Sequence, residues 1–306
     1  MIFVAASAVL FASKGLFGKA LYQRGVGFEL LVAVRAVLAM PLFAWIALRA
    51  NAPENSGHER RVMRGRAILA AAIAGITCYY VGALLDFWAL MLIDASIERV
   101  LLFSYPALVV TIGSFMRRRA PEPRLVAAML VTYVGIFFAM GGIDVHELAQ
   151  NLFGAGLVLM AALTTAIYFL IGERYTHELG STRFAAIGMS SAAVMLAIHF
   201  VLFRSFAEFN TLRAHDWMLL AILSVACMFI PGLMQAEGMR RVGAQRAAIG
   251  STIGPPTTIV LAALFLHERL NLWQVLGSAM IIGSVLVLSI GKRVDPSKEE
   301  PVDVEP

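Results

Sequence analysis

Ten times in its 306 residues the chain runs apolar for about the length that crosses a bilayer, and this recurrence leaves it few ways to fold. Spanning about 30 Å of hydrocarbon takes roughly 20 helical residues. The stretches are 1–22, 27–48, 67–90, 95–115, 124–142, 153–172, 183–203, 216–238, 244–265 and 272–291. Hydrocarbon offers no water to an open backbone amide, so only helices and closed barrels cross it. The runs are continuously apolar and lack the alternation of barrel strands, which makes them helices. At 59% hydrophobic residues and a mean hydropathy of +0.78, the chain carries more apolar surface than one soluble core buries. The expectation is an all-α integral membrane protein. Lys14 and Lys19 interrupt the first stretch and no small-residue cleavage site follows it, so it is expected to stay as a helix rather than be removed as a signal peptide.

Part of the chain repeats. Ala95 leads to Pro106 through an apolar helix, Ala244 leads to Pro255 in a similar setting, and the offset of 149 residues also relates Cys78 to Cys227. Five helices per copy is an odd number, so the second copy enters the membrane from the opposite side. The expected fold is therefore ten transmembrane helices in two inverted five-helix repeats, 1–142 and 153–291, an arrangement typical of secondary transporters. Residues 50–66 read as an arginine-rich loop and 143–152 as a short acidic link. The acidic, proline-containing tail 292–306 is expected to be disordered.

Orientation follows from the basic residues. With a cytoplasmic N-terminus, 16 of the 25 Lys and Arg fall in inner loops, their edges and the tail, and only Arg24, Arg204, Arg213 and Arg269 in outer loops. This bias matches the positive-inside rule and predicts both termini in the cytoplasm. The net charge of +5 thus reports topology, with anionic lipid headgroups as its partner and no nucleic acid implied.

The residues resemble the EamA group of the drug/metabolite transporter superfamily. The likeness rests on Lys19 followed by Gly25 and Arg35, on the two alanine-to-proline helices, and on the run Leu264 to Leu270 leading to Gly277 and Gly283. Lys14 with Lys19, and the segment Glu98 to Pro106, are similar to a bacterial subset of that group. The likeness covers 1–291. It implies ten helices around a central cavity in a bacterial cytoplasmic membrane, and transport, often export, of small metabolites. Many relatives end the fourth helix in a Glu-Arg pair, whereas this chain has Arg117-Arg118-Arg119 there and keeps the pair only as Glu268-Arg269.

Charges inside the spans carry the chemistry, since each costs about 2.5–3.5 kcal/mol at mid-membrane on insertion scales unless paired or hydrated. Counted from the outer ends of their spans, Lys14, Arg35, Asp86 and Glu98 all fall in the outer half of the first four. Either Lys14 or Arg35 binds an anionic solute group and Asp86 or Glu98 exchanges a proton, or Arg35 pairs with one of these carboxylates and holds spans in register. Lys19 and Arg99, nearer the interface, are expected to snorkel. Gln235 stands where the offset places Asp86, and Glu237 is spaced to pair with Arg240 or Arg241. Pro106, Pro255 and Pro256 are expected to kink their helices beside the cavity, freeing carbonyls. Tyr105 and Thr252 are candidate polar contacts, and Tyr168, the offset partner of Lys19, adds aromatic surface.

Enzyme motifs are scarce. His267-Glu268-Arg269 lacks the second histidine of a zinc-peptidase helix, the six histidines have no ligand spacing, and no phosphate-cradling Gly-Lys-Ser/Thr loop occurs. No metal or cofactor is expected. The reading is a secondary transporter, in the export direction, moving a small polar metabolite such as an amino acid by alternating access, with a proton or another ion as a coupling partner. The alternative is an intramembrane enzyme or sensor using the charged cluster of spans one to four.

Overall fold

The computed structural model describes residues 2–49, 58–116, 123–139, 145–251, 254–267 and 271–290, and all of its regular structure there is helical. The elements are α1 (Ile2–Ala12), α2 (Lys14–Tyr22), α3 (Phe28–Arg49), α4 (His58–Gly75), α5 (Ala83–Leu92), α6 (Ala95–Leu102) and α7 (Tyr105–Met116). They continue with α8 (Pro123–Ala139), α9 (Val145–Leu179), α10 (Ser181–Phe203), α11 (Ala214–Ser224), α12 (Ile230–Gly250), α13 (Gly254–Leu261) and α14 (Leu272–Ile290). Seven stretches among the described residues are long and apolar enough to cross a membrane: Ile2–Tyr22, Phe28–Ile46, Gly65–Leu92, Ala95–Met116, Asn151–Leu179, Ser181–Phe203 and Ala214–Ala244. The other expected spans fall on α8, on the shorter apolar helix Thr257–Leu266, and on α14, of which Leu272–Ser284 is apolar. The multi-pass character therefore stands, with seven full-length spans among the described residues where the whole sequence suggests ten.

Several spans are built from pieces. A π-helical stretch, Ile76–Gly82, joins α4 to α5, and another, Val225–Phe229, joins α11 to α12. They begin 149 residues apart, the offset of the sequence repeat. In the first alanine-to-proline segment a turn at Phe103 and Ser104 separates α6 from α7; in the second, residues 252–253 lie outside the described residues. Pro106 and Pro255 are the second residues of α7 and α13. A proline in the first turn forfeits no helical bond and its ring presets φ. Pro106 thus follows a turn inside the single span Ala95–Met116, and the backbone bonds from Phe103 to Arg99 and from Ser104 to Leu101 carry the helix into that turn. The turn before the second segment is made by Gly243 at φ 78° inside α12, backbone that a side chain would strain.

The two halves interlock. The first span packs chiefly on the second half, α1 against α12 and α13 and α2 against α11. Reciprocally, α9 lies against α4, α5, α6 and α7 of the first half. Between them α3 packs on α10, and α8 on α14, where the Thr132 and Ser284 hydroxyls are hydrogen-bonded at 2.6 Å. Lipid tails are as apolar as side chains, so membrane helices hold together through close packing of small residues more than through the hydrophobic effect. Gly75 of α4 and Gly188 of α10 make such a contact. A Cβ built on Gly75 would lie 2.0 Å from the Gly188 carbonyl oxygen, whereas one on Gly188 meets nothing nearer than 3.1 Å.

These distances rank three substitutions. Gly75→Ala forces two backbones apart and is expected to cost about 1–3 kcal/mol or more, in the range of core overpacking. Gly188→Ala should cost less. Gly156→Ala, with nothing within 4 Å of the added carbon, should leave the thermal unfolding midpoint of the solubilised protein unchanged.

Candidate functional site

The first span is interrupted at Ser13, between α1 and α2. A break strands carbonyls that would otherwise accept helical amides, and hydrocarbon supplies no water to replace them. Side chains do so here. The Arg99 guanidinium on α6 donates to the Phe11 carbonyl oxygen, and Thr258 Oγ1 on α13 donates to that of Ala12 at 3.2 Å. Ser13 Oγ donates to the Leu10 oxygen at 2.8 Å and lies 3.2 Å from Cys227 Sγ. Cys78 and Cys227 are both free thiols, as their separate spans predict.

Lys14 follows the break as the first residue of α2, at the end where the helix dipole is positive, so its ammonium depends on nearby anions. It finds two. Nζ pairs with Asp86 of α5 and stands 3.3 Å from Glu98 Oε1 of α6. All three residues are buried, Glu98 completely. Arg35 of α3, the expected carboxylate partner, has no ion pair among the described residues. Its guanidinium lies over the Phe87 ring, 4.3 Å from the centroid, and its Nε is buried with no hydrogen-bond partner. The register-holding pair proposed for Arg35 is therefore made by Lys14: Asp86 and Glu98 already share that ammonium, and Arg35 takes the aromatic face beside them.

These side chains surround a cavity of about 870 Å³ including its mouth. Lys14, Arg35, Asp86, Tyr105 and Gln235 line it, so five of the eight candidate contacts come together. Both π-helical stretches face it, one with Cys78, Tyr79 and Gly82 and the other with Met228. An extra residue in a helical turn shifts the faces on either side, and such turns occur often at functional sites. Glu98 sits behind the wall in contact with Lys14. Tyr168 is fully buried and packs edge-on against Tyr79, their centroids 5.1 Å apart, so it supports the wall without forming it. Thr252 lies outside the described residues. Pro106 and Pro255 are buried, and the lining falls to their neighbours Tyr105, Ser251 and Gly254. Pro256 is the third residue of α13.

Arg99 corrects a further expectation. It does not snorkel to the interface: it is only 8% exposed, lines the cavity, and has an Nε with no hydrogen-bond partner. Its adjacency to Glu98 in the repeated helix was the available signal, because one buried charge predicts company for its neighbour. Away from the cavity, Glu237 pairs with Arg240 at 2.7 Å and Arg241 at 2.5 Å, as the spacing predicts, and accepts a hydrogen bond from Ser181. At the other end of the bundle Arg24 pairs with Asp216, and Arg204 with Glu29 at 2.7 Å, both joining the two halves. His199 is bonded to the Tyr80 hydroxyl at 3.1 Å.

Apolar spans enclosing a charged cavity to which both halves contribute define a multi-pass membrane transporter. The model of the EamA-like transporter family matches residues 1–141 and 152–290, and the chain belongs to that family. It is 34% identical over 302 residues to an uncharacterized transporter, YcbK, of Bacillus subtilis (strain 168), covering 97% of this chain and 95% of that one. A solved structure described only as a crystal structure of a protein shares the fold with a TM-score of 0.65, at 15% identity, over 94% of this chain and 96% of that one.

The Lys14 cluster yields a stability test. Breaking a buried ion pair by deleting one partner typically costs about 3–5 kcal/mol, because it strands the other charge. Lys14→Met leaves Asp86 and Glu98 facing each other and should lower the unfolding midpoint accordingly. Adding Asp86→Asn and Glu98→Gln to Lys14→Met should recover most of the loss in the same midpoint measurement. No recovery would show that Lys14 stabilises through its packing alone.

Proposed function

We propose that this protein is a secondary transporter that moves a small polar organic solute, such as an amino acid, out across the cytoplasmic membrane by alternating access of the charged cavity. The moving bodies in this reading are two inverted five-helix units, 1–142 and 153–291, and both termini are cytoplasmic. The observation that carries it is the composition of the cavity wall: Lys14, Arg35, Asp86 and Arg99 come from one half, Met228, Gln235, Ser251 and Gly254 from the other. A site at the joint between two bodies changes its exposure when they rock.

Two features support the reading. The π-helical stretches recur at the 149-residue offset, as two copies of one unit would. The first span is held to the other half at both ends, by Arg24 on Asp216 and by Arg241 stacked 4.8 Å over the Phe3 ring. Arg24 and Phe3 reach the surface at these contacts, whereas the Asp216 carboxylate is buried. Lys14, Asp86 and Glu98 then bind solute or exchange a coupling proton, and Tyr105 and Gln235 orient the solute.

Flux into or out of sealed vesicles, measured with labelled amino acids, organic anions and cationic dyes, tests the proposal. Substrate-dependent flux above that of protein-free vesicles is expected. Arg35→Ala should reduce it at least tenfold while the protein still inserts; unchanged flux in that variant removes Arg35 from the site. Product formation without flux would favour an intramembrane enzyme.

A further inference from the structure

Five charged side chains meet at the cavity or directly behind its wall, and they do not cancel. Lys14, Arg35 and Arg99 are positive, Asp86 and Glu98 negative, and none is more than 8% exposed. The pairing shows where the imbalance sits. Lys14 is shared by both carboxylates, so that trio keeps one negative charge, which offsets one of the two guanidiniums. The two guanidiniums are left without an anion within ion-pair distance among the described residues. Arg99 uses one nitrogen on the Phe11 carbonyl and Arg35 rests on Phe87. Each keeps an Nε that is buried with no hydrogen-bond partner, and each lines the cavity. Buried donors of this kind are rarely left unmatched, and a guanidinium forks onto a carboxylate more readily than any other side chain. The remaining polar lining, including Ser7, Tyr79, Tyr105, Thr165, Gln235 and Ser251, is uncharged and does not correct the excess.

We infer that the cavity takes an organic anion of one net negative charge, its acid group held by Arg35 and Arg99 and its apolar body against Phe11, Tyr79 and Phe103. This rests on the transport reading and narrows it. One negative charge neutralises the buried excess, whereas a zwitterionic amino acid brings none and an organic cation adds to it. The aromatic lining suits a body of several carbons, since a bare inorganic anion would leave that surface in contact with water.

The test uses full-length protein in lipid nanodiscs for binding and in proteoliposomes for flux, with probes matched in shape and differing in charge. One set is 3-phenylpropanoate, 3-phenylpropanamide and 3-phenylpropylamine; a second is hexanoate, hexanamide and hexylamine; phenylalanine supplies the zwitterion. The acids are expected to raise the unfolding midpoint and to bind at least tenfold more tightly than their amides, amines or the zwitterion. Arg35→Gln should weaken acid binding at least tenfold, with Arg35→Lys, which keeps the charge but loses the fork, falling between. Equal or tighter binding of the amides or amines overturns the assignment, as does no binding by any acid, or a folded Arg35→Gln protein with wild-type acid affinity. If Arg35→Gln fails to fold, the charge series on the wild-type protein decides. Acid binding without flux of any probe keeps the assignment and removes the transport reading. Flux restricted to neutral or cationic probes keeps transport and removes the assignment.

Discussion

The ion cluster at Lys14 is the contact around which the molecule is organised. Its helix touches both halves of the chain, the preceding α1 packs on the second, and the carboxylates it serves stand on α5 and α6 of the first. Buried ion pairs stabilise little relative to apolar packing of the same shape, yet they cannot be separated cheaply. They act as registers more than as glue. Once Lys14 sits between Asp86 and Glu98, the position of the first span along the bundle is set. The break at Ser13 then falls where Arg99 and Thr258 can serve the stranded carbonyls.

The chemistry is unevenly divided between two structurally similar copies. Asp86 is matched by Gln235, and Glu98-Arg99 by Ala247-Ala248, at the same offset. All five buried charges at the cavity belong to the first half; the second contributes neutral polar groups, a thioether and backbone. One folding device is shared instead, since both copies use a π-helical stretch at the same offset.

Much of this was legible in the residues because burying charge in hydrocarbon is costly. Lys14, Arg35, Asp86 and Glu98 stood out from their apolar surroundings, and the structure brings them to one place. Who pairs with whom was not legible: depth along a helix says nothing about the direction a side chain faces, and Arg35 and Lys14 lie at similar depth. The π-helical stretches were invisible for a different reason. Ile76 to Gly82 and Val225 to Phe229 are ordinary apolar residues, and the shift arises from packing, not local preference. Arg99 was sent to the interface by proximity to the helix end, although the partners that retain it come from another span. The prolines were read as bends, and Pro106 does follow a turn at Phe103 and Ser104 within its span. Tyr168 showed how an aromatic residue marked by the repeat serves as backing for the one that meets the cavity.

The unbalanced guanidiniums have an electrical consequence. A unit charge carried through the whole membrane field changes in energy by about 2.3 kcal/mol per 100 mV. In a carrier whose empty site holds one buried positive charge, the switch from one side to the other works with or against that field, whereas a site filled by an anion switches without feeling it. In the proposed export cycle, a negative cytoplasm would hold the empty site facing inward, where solute is loaded. Membrane voltage, rather than affinity alone, would set where the unloaded carrier waits.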